Sequence, residues 1–253
     1  MDSKTEKADE IFSARVQNMI AAATDKNYPK YSLFLDEHQQ MLALGILKKH
    51  QCEHYHFYGG FKEAKRKMLC VYPDYLQIED LSFPIRYLSF TYRKSDTLTH
   101  RDFLGSLMAL QIKRETVGDI AVGEGLCSIA VGESTADYIL NNVRKIGRVG
   151  VAVCETESPS IQVQQEFEEQ SGTVASLRID SVAALATKLS RSKTVQLIEA
   201  GKVAVNYQEI SSASQMLKPG DVISVRGFGK YILGEEIRET KKGRYYIMMH
   251  KYI

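Results

Sequence analysis

The sequence predicts an α+β protein (α/β in its local units) of three small domains. These are an N-terminal α/β domain over residues 1–80, a ferredoxin-like domain over 81–157 and, past a connector at 158–177, a C-terminal domain over 178–253. Three observations predict it. Between residues 85 and 154 the apolar period switches between two and about 3.6 in the order β-α-β-β-α-β, the split βαβ arrangement. From residue 178 onward, two short helical patterns precede a small group of strands. Charge is unevenly divided: 178–253 carries 13 Lys+Arg against 7 Asp+Glu, a balance of +6, and the remainder carries 20 against 24, a balance of −4. One end is therefore suited to a polyanion, although a solvated basic face would give the same count.

Composition sets the outer bounds. With 44% hydrophobic and 25% charged residues in 253, the chain has the balance of a folded soluble protein. No run approaches the ~18 apolar residues of a membrane span. The charged start, Met1 to Lys7, lacks the apolar core of a signal peptide. Cys52, Cys70, Cys127 and Cys154 lie far apart with no Cys-x-x-Cys spacing, which suits reduced thiols in the cytoplasm.

In the first domain, residues 3–22 read as a helix with a Ser3/Glu6 capping box and a stripe of Ile11, Phe12, Met19 and Ile20. Asp36 and Gln39 begin a second helix that ends near Lys48-Lys49-His50. Cys52–Tyr58 reads as an aromatic strand stopped by Gly59-Gly60. Phe61–Lys67 suggests a short basic helix, followed by a strand over Met68–Tyr72 and a turn at Pro73-Asp74.

In the second, Ile85–Tyr92 alternates as a strand. Thr99 and Asp102 cap a helix carrying Phe103, Leu104, Leu107, Met108 and Leu110. Asp119–Val122 and Leu126–Val131 form a hairpin around Gly123-Glu-Gly125. Ser134 and Asp137 are expected to cap a helix through Tyr138, Ile139, Val143 and Ile146 that stops at Gly147, and Val149–Cys154 closes the order. RNA-recognition modules share this order, but these strands lack the aromatics on which such sheets stack bases. RNA contacts are thus expected from helix ends and loops, at His100, Arg101, Lys113 and Arg114. A structural helix start explains His100 and Arg101 equally well. In the connector, Ile161, Val163 and Phe167 break an otherwise polar run and can add an edge strand.

In the third, Ile179, Val182, Leu185, Ala186 and Leu189 recur at helical spacing with Asp180 as the expected N-cap. Ser190 caps a second helix with Val195, Leu197 and Ile198 inward and Gly201 as its stop. Lys202–Asn206 and Val222–Arg226 read as strands, with a tight turn at Lys218-Pro-Gly-Asp221. Arg178, Lys188, Arg191 and Lys193 decorate the helices, and Lys202, Arg226 and Lys230 extend the basic set. Cations in the first turn of a helix oppose its dipole, so Arg191 and Lys193 beside the Ser190 cap favour an anion held there, although a solvated basic face with an ordinary Ser cap fits the same pattern.

The motifs Arg178-Ile-Asp180, Ser190-Arg-Ser192, Leu197-Ile-Glu-Ala-Gly201, Lys202-Val-Ala-Val-Asn206 and Lys218-Pro-Gly-Asp-Val-Ile223 resemble the S-four (αL) RNA-binding domain in order and spacing. Tyr207 departs from that pattern where Gly is usual, and its ring offers a surface for a base. Over nearly the whole chain, Tyr58-Gly-Gly-Phe61 with the basic run to Lys67, Leu98–Gly105, Ile112–Glu115, Gly118-Asp-Ile120 and Arg226-Gly-Phe-Gly229 look like the YlmH proteins of Gram-positive bacteria. Lys65 stands where an acidic residue is common, and Leu110-Gln111 where Gly is common. The resemblance implies a central RRM-like domain and a terminal S-four domain. It also implies a role on the large ribosomal subunit, in quality control of stalled nascent chains still attached to tRNA. The cell-division label some members carry reflects gene neighbourhood.

Other signals are weaker. His100-Arg-Asp102 lacks the companion motifs of a kinase. His50, Cys52, His54 and His56 alternate along a strand, a spacing that rarely closes a tetrahedral metal site. The expectation is an RNA-binding protein with no catalytic centre, cofactor, metal, small-molecule substrate or membrane contact. Its partners are rRNA or tRNA and the large ribosomal subunit. A pseudouridine-synthase-like enzyme is the main alternative, although its Arg-Leu-Asp loop is missing, and a cell-division adaptor is the other.

Overall fold

A computed structural model describes residues 3–162 and 167–252, with side chains from residue 7. The chain divides into two compact units, 2–164 and 165–253. Residues 1–80 and 81–157 therefore lie in one compact unit. The side chains of the Ser3/Glu6 capping box, and Val163 in the connector, lie outside what is described.

The first unit begins with α1 (Ser3–Lys26), β1 (Lys30–Tyr31), α2 (Glu37–Lys49), β2 (Tyr55–Tyr58) and β3 (Met68–Val71). Phe12, Val16, Met19, Ile20 and Ala23 of α1 are buried against Ala43 and Leu47 of α2 and Leu69 and Val71 of β3. Ile11, expected on that stripe, is 49% exposed. The α2 cap is as read: the Asp36 carboxylate accepts from the Gln39 amide at 2.8 Å, and the Gln39 side chain accepts from the Asp36 amide at 3.0 Å.

Residues 61–67 do not form the expected helix. Their backbone groups are taken elsewhere: the Asp119 carboxylate accepts from the amides of Lys65 (2.5 Å) and Arg66 (3.3 Å), and the Gln40 amide donates to the Lys65 carbonyl at 2.6 Å. Tertiary hydrogen bonds thus replace the i to i−4 ladder. Gly59 and Gly60 make this loop possible. A Cβ at Gly59 would overlap the Ala64 Cβ and the Arg66 carbonyl, and a Cβ at Gly60 (φ +86) would lie 2.8 Å from the Tyr87 ring.

The unit continues with β4 (Ile85–Thr91), α3 (His100–Ala109), β5 (Val117–Gly123), β6 (Leu126–Gly132), α4 (Glu133–Asn142), the short pair β7 (Lys145–Ile146) and β8 (Val149–Gly150), and β9 (Ala152–Thr156). The sheet order β5-β6-β4-β9, antiparallel throughout, is what the split βαβ wrap requires. Leu88, Phe90, Cys127, Ile129 and Val131 face the helices, burying Phe103, Leu107, Ala136 and Ile139. The Thr99 cap of α3 holds: Asp102 accepts from its amide (2.8 Å) and hydroxyl (2.6 Å), which keeps the Asp102 carboxyl below its ordinary range.

Two expectations for α4 fail. Gly132, not Ser134, is its N-cap, and Asp137 pairs with Arg86 at 2.7 Å instead of capping. The helix ends at Asn142 because side chains take its last carbonyls: Arg144 donates to Leu140 and Val143, each at 2.8 Å. Ile146 accordingly falls in β7.

The opposite face of this sheet is not open. Phe34, Phe61, Ala64 and Met68 cover Ala121 and Ala130, with Tyr87 and Ile161 packed alongside. The Ser160 amide donates to Ser128 Oγ at 3.2 Å. Small residues there admit neighbouring chain, so the face where an RNA-recognition sheet would stack bases is already filled.

The second unit holds β10 (Phe167–Val174), α5 (Ile179–Thr187), α6 (Arg191–Glu199), β11 (Val203–Val205), β12 (Gln208–Glu209), β13 (Val222–Val225), β14 (Gly229–Glu239) and β15 (Tyr245–Tyr252). The strands form one six-stranded sheet, β10-β15-β14-β13-β11-β12. Half of the expected connector is thus β10, an edge strand beginning at Phe167. Ile179, Val182, Ala183, Ala186 and Ile198 cover Val203, Val205, Ile223, Val225, Leu233, Ile247 and Met249.

The α5 cap is corrected: Arg178 is the N-cap, and Asp180 lies inside the first turn, 4% exposed. Lys188 (φ 56) ends that helix in a left-handed turn, so Leu189 lies beyond it. On α6, Thr194 rather than Val195 points inward, its hydroxyl satisfied by the Ser190 carbonyl at 3.1 Å; Val195 and Leu197 are only half-buried.

Two positions where the family resemblance leads one to expect glycine, Gln111 (φ 61) and Tyr207 (φ 64), both adopt left-handed backbone. That region costs an L-residue about 1–2 kcal/mol. Gln111→Gly is therefore expected to leave the fold unchanged and raise the melting temperature by roughly 1–3 °C. A fall measured by circular dichroism would show that the Gln111 side chain contributes more than its backbone costs.

Candidate nucleic-acid interface

The basic residues expected in the C-terminal unit separate into three places. Arg178 and Arg191 converge on Asp180, at 3.3 Å and 2.5 Å. Ser190 Oγ accepts from the Lys193 amide at 3.4 Å, so the cap is made, and the Lys193 side chain is exposed beside it. Burial raises the Asp180 pKa, but the hydrogen bond and charge of Arg191, followed by those of Arg178, outweigh it and hold the carboxyl below its ordinary range. Arg191 is thus in part a structural counter-ion, a role its position next to a Ser cap did not reveal.

Lys202, Arg226 and Lys230 line a second place, an open concavity of about 540 Å³ floored by β11 and β13. Its walls carry Phe228, 37% exposed, and one acid, Glu209. Lys202 stands just past the C-terminus of α6. The nine residues of α6 put it on the order of 13 Å from the Ser190 end. The Lys230 ammonium lies 4.6 Å from the centroid of the Tyr207 ring and 4.7 Å from that of Tyr252. Tyr207 therefore holds a cation as well as offering a ring. Phe228 sits inside the Arg226-Gly-Phe-Gly229 motif; nothing local to Tyr252 signals it, because Lys230 meets it from the neighbouring strand.

Lys188 stands apart. It lines a depression with Glu168 and Glu169, an environment that favours no anion.

In the first unit, His100 and Arg101 are exposed at the start of α3, and Lys113 and Arg114 enclose the turn before β5. Arg114 is half-buried: its guanidinium donates to the carbonyls of Val117 (2.5 Å) and Gly118 (3.3 Å), and desolvation with the charge of Arg66 lowers its pKa to about 10. Burial, then the Arg114 charge, lowers the His100 pKa. Among the described residues no group of three or more His, Cys, Asp or Glu is placed to hold a metal. His54 and His56 instead lie edge-on to Tyr72 and Phe83. No described helix is long and apolar enough to cross a membrane.

Residues 79–160 match the family described as "Putative RNA-binding domain in YlmH", and residues 177–223 match the S4 domain. The chain is similar to the ribosome-associated protein quality control protein P2 of Bacillus subtilis (strain 168). The two are 29% identical over 224 residues, which span 88% of this chain and 87% of that one. Among solved structures it is similar to the cell division protein ylmH from Streptococcus pneumoniae, with 27% identity and a TM-score of 0.50, covering 59% of this chain and 91% of the other.

Proposed function

We propose that this YlmH-like chain with a C-terminal S4 domain is a non-enzymatic RNA-binding protein acting on the large ribosomal subunit and its tRNA, in quality control of stalled nascent chains. The observation that carries the RNA reading is the concavity at Lys202, Arg226 and Lys230. Three cations and an exposed Phe228 face one open surface with a single acid among them. Cations of this kind neutralise phosphates, and an aromatic face accepts an unstacked base. The name of the Bacillus subtilis relative, a ribosome-associated quality control protein, supports the ribosomal assignment.

Replacing Lys202 and Arg226 together by Ala is expected to reduce the slope of log affinity against log salt by up to about two units. The melting temperature should hold, since both side chains are exposed. The assay is cosedimentation with purified large ribosomal subunits across a salt series, with small subunits in parallel. Equal partition to both subunits would defeat the large-subunit assignment, and an unchanged slope would defeat the site. Mass spectrometry of RNA incubated with the protein should find no added mass and no pseudouridine; a protein-dependent change would restore the enzyme reading.

A further inference from the structure

The first unit contains a cluster that the C-terminal surface does not explain. Arg66 reaches from the loop after Gly59-Gly60, donating through Nε to the Val117 carbonyl at 3.2 Å and through Nη2 to the Phe34 carbonyl at 2.9 Å. Arg114 donates to the same Val117 carbonyl at 2.5 Å. Two guanidiniums that share one acceptor are held side by side. Among the described residues neither forms an ion pair with a carboxylate. The carboxyl between their segments, Asp119, is buried and turned to the amides of Lys65 and Arg66. Asp119 and Asp36 act on both guanidiniums, and Glu115 on Arg66, through charge alone without an ion pair.

Two like charges held together and half-desolvated repel each other. The Arg66 charge, after burial, is what lowers the Arg114 pKa. Lys65 and Arg114 likewise act on His100. The hydrogen bonds above leave Arg66 Nη1 and Arg114 Nε and Nη2 with no acceptor among the described residues. Among the described residues no buried side-chain nitrogen or oxygen lacks a partner, so these donors meet solvent. Rigid guanidiniums with spare outward donors match phosphate oxygens and have little of the ordering cost that flexible lysines carry. The sheet face of the same unit is filled by Phe34, Phe61 and Met68, so base stacking there is closed.

We propose that the Arg66–Arg114 pair, flanked by Lys65 and His100, is a second anion site that grips a phosphodiester of the RNA backbone. It engages at the flank of the central sheet rather than on its face. The proposal rests on the RNA-binding reading above and adds the N-terminal loop to the RNA surface.

The test uses the full chain, a fluorescein-labelled RNA hairpin, and Lys65→Gln combined with Arg114→Gln. Since the Arg114 side chain holds two carbonyls, Lys65→Gln combined with His100→Gln serves as a second variant that leaves those bonds intact. Melting temperatures are recorded for both. Each lost phosphate contact is expected to lower the salt slope by about one unit, with affinity falling several-fold, in whichever variant melts as the parent does. An unchanged slope in a variant of parental stability would overturn the site. Failure of the unmodified protein to bind the hairpin would overturn the RNA reading beneath it. Saturation of the cluster by inorganic phosphate at concentrations where the hairpin does not compete would replace the RNA backbone with a small free anion.

Discussion

Replacing Arg178 and Arg191 together by Ala is expected to destabilise the C-terminal unit by about 1–3 kcal/mol, most of it through Asp180. That carboxylate is 4% exposed and its charge is held by these two guanidiniums. Removing both partners of a fully buried carboxylate would cost about 3–5 kcal/mol. The arginine side chains are 40% and 52% exposed, so solvent screens part of the interaction and the lower range applies. For a unit of this size the melting temperature should fall by on the order of 10 °C.

Adding Asp180→Leu to the double variant should recover much of the loss, because an apolar side chain needs no counter-ion. A double variant that melts like the parent would show that Asp180 is solvated and its pairing unimportant. The same carboxyl predicts an acid limit. Its pKa is depressed in the folded state, so its contribution is complete above the unfolded value of about 3.9 and is lost as pH falls through the folded value. Any RNA affinity measured on Arg191→Ala has to be read against this loss of stability.

Gly59→Ala is expected to be more damaging, at about 3 kcal/mol or above, because the added methyl enters space already held by the Ala64 Cβ and the Arg66 carbonyl. The loop cannot move aside cheaply: Asp119 holds the amides of Lys65 and Arg66, and Gln40 holds the Lys65 carbonyl. Urea unfolding should show a lower midpoint for the first unit with little change in the slope. Gly45→Ala and Gly105→Ala are the contrasting controls. Both glycines are helical with nothing within 4 Å of a built Cβ, so each is expected to gain about 0.5–1 kcal/mol. A Gly59→Ala protein as stable as the parent would show that the loop relaxes freely.

These residues also show where sequence reading reaches and where it stops. Capping boxes at Asp36/Gln39 and Thr99/Asp102 were legible because their partners lie three residues apart. The ferredoxin-like order was legible because one face of each central strand is apolar. Residues 61–67 read locally as a helix because the group that captures their amides, Asp119, is more than fifty residues away. Strands β10 and β14 carry Glu-Glu and Gly-Glu-Glu runs that hide the alternation, and β14 breaks register between Leu233 and Ile237. Of the candidate interface, the exposed cations could be named. Their division between the two ends of α6, and the use of Arg191 by Asp180, depend on tertiary placement alone.

The covering of the central sheet by Phe34, Phe61, Ala64 and Met68 separates two kinds of boundary that are easily confused. The segment 79–160 is a unit of descent, recognisable wherever it recurs. It is not expected to fold cooperatively by itself, because one face of its sheet is covered by Phe34, Phe61, Ala64 and Met68, which precede it. Excised at those limits, it would present Ala121, Ala130, Tyr87 and Ile85 to water as an adhesive surface, with Asp119 stripped of the amides that hold it. Inheritance here has kept a module whose thermodynamic edges lie some forty residues upstream of its recognisable ones.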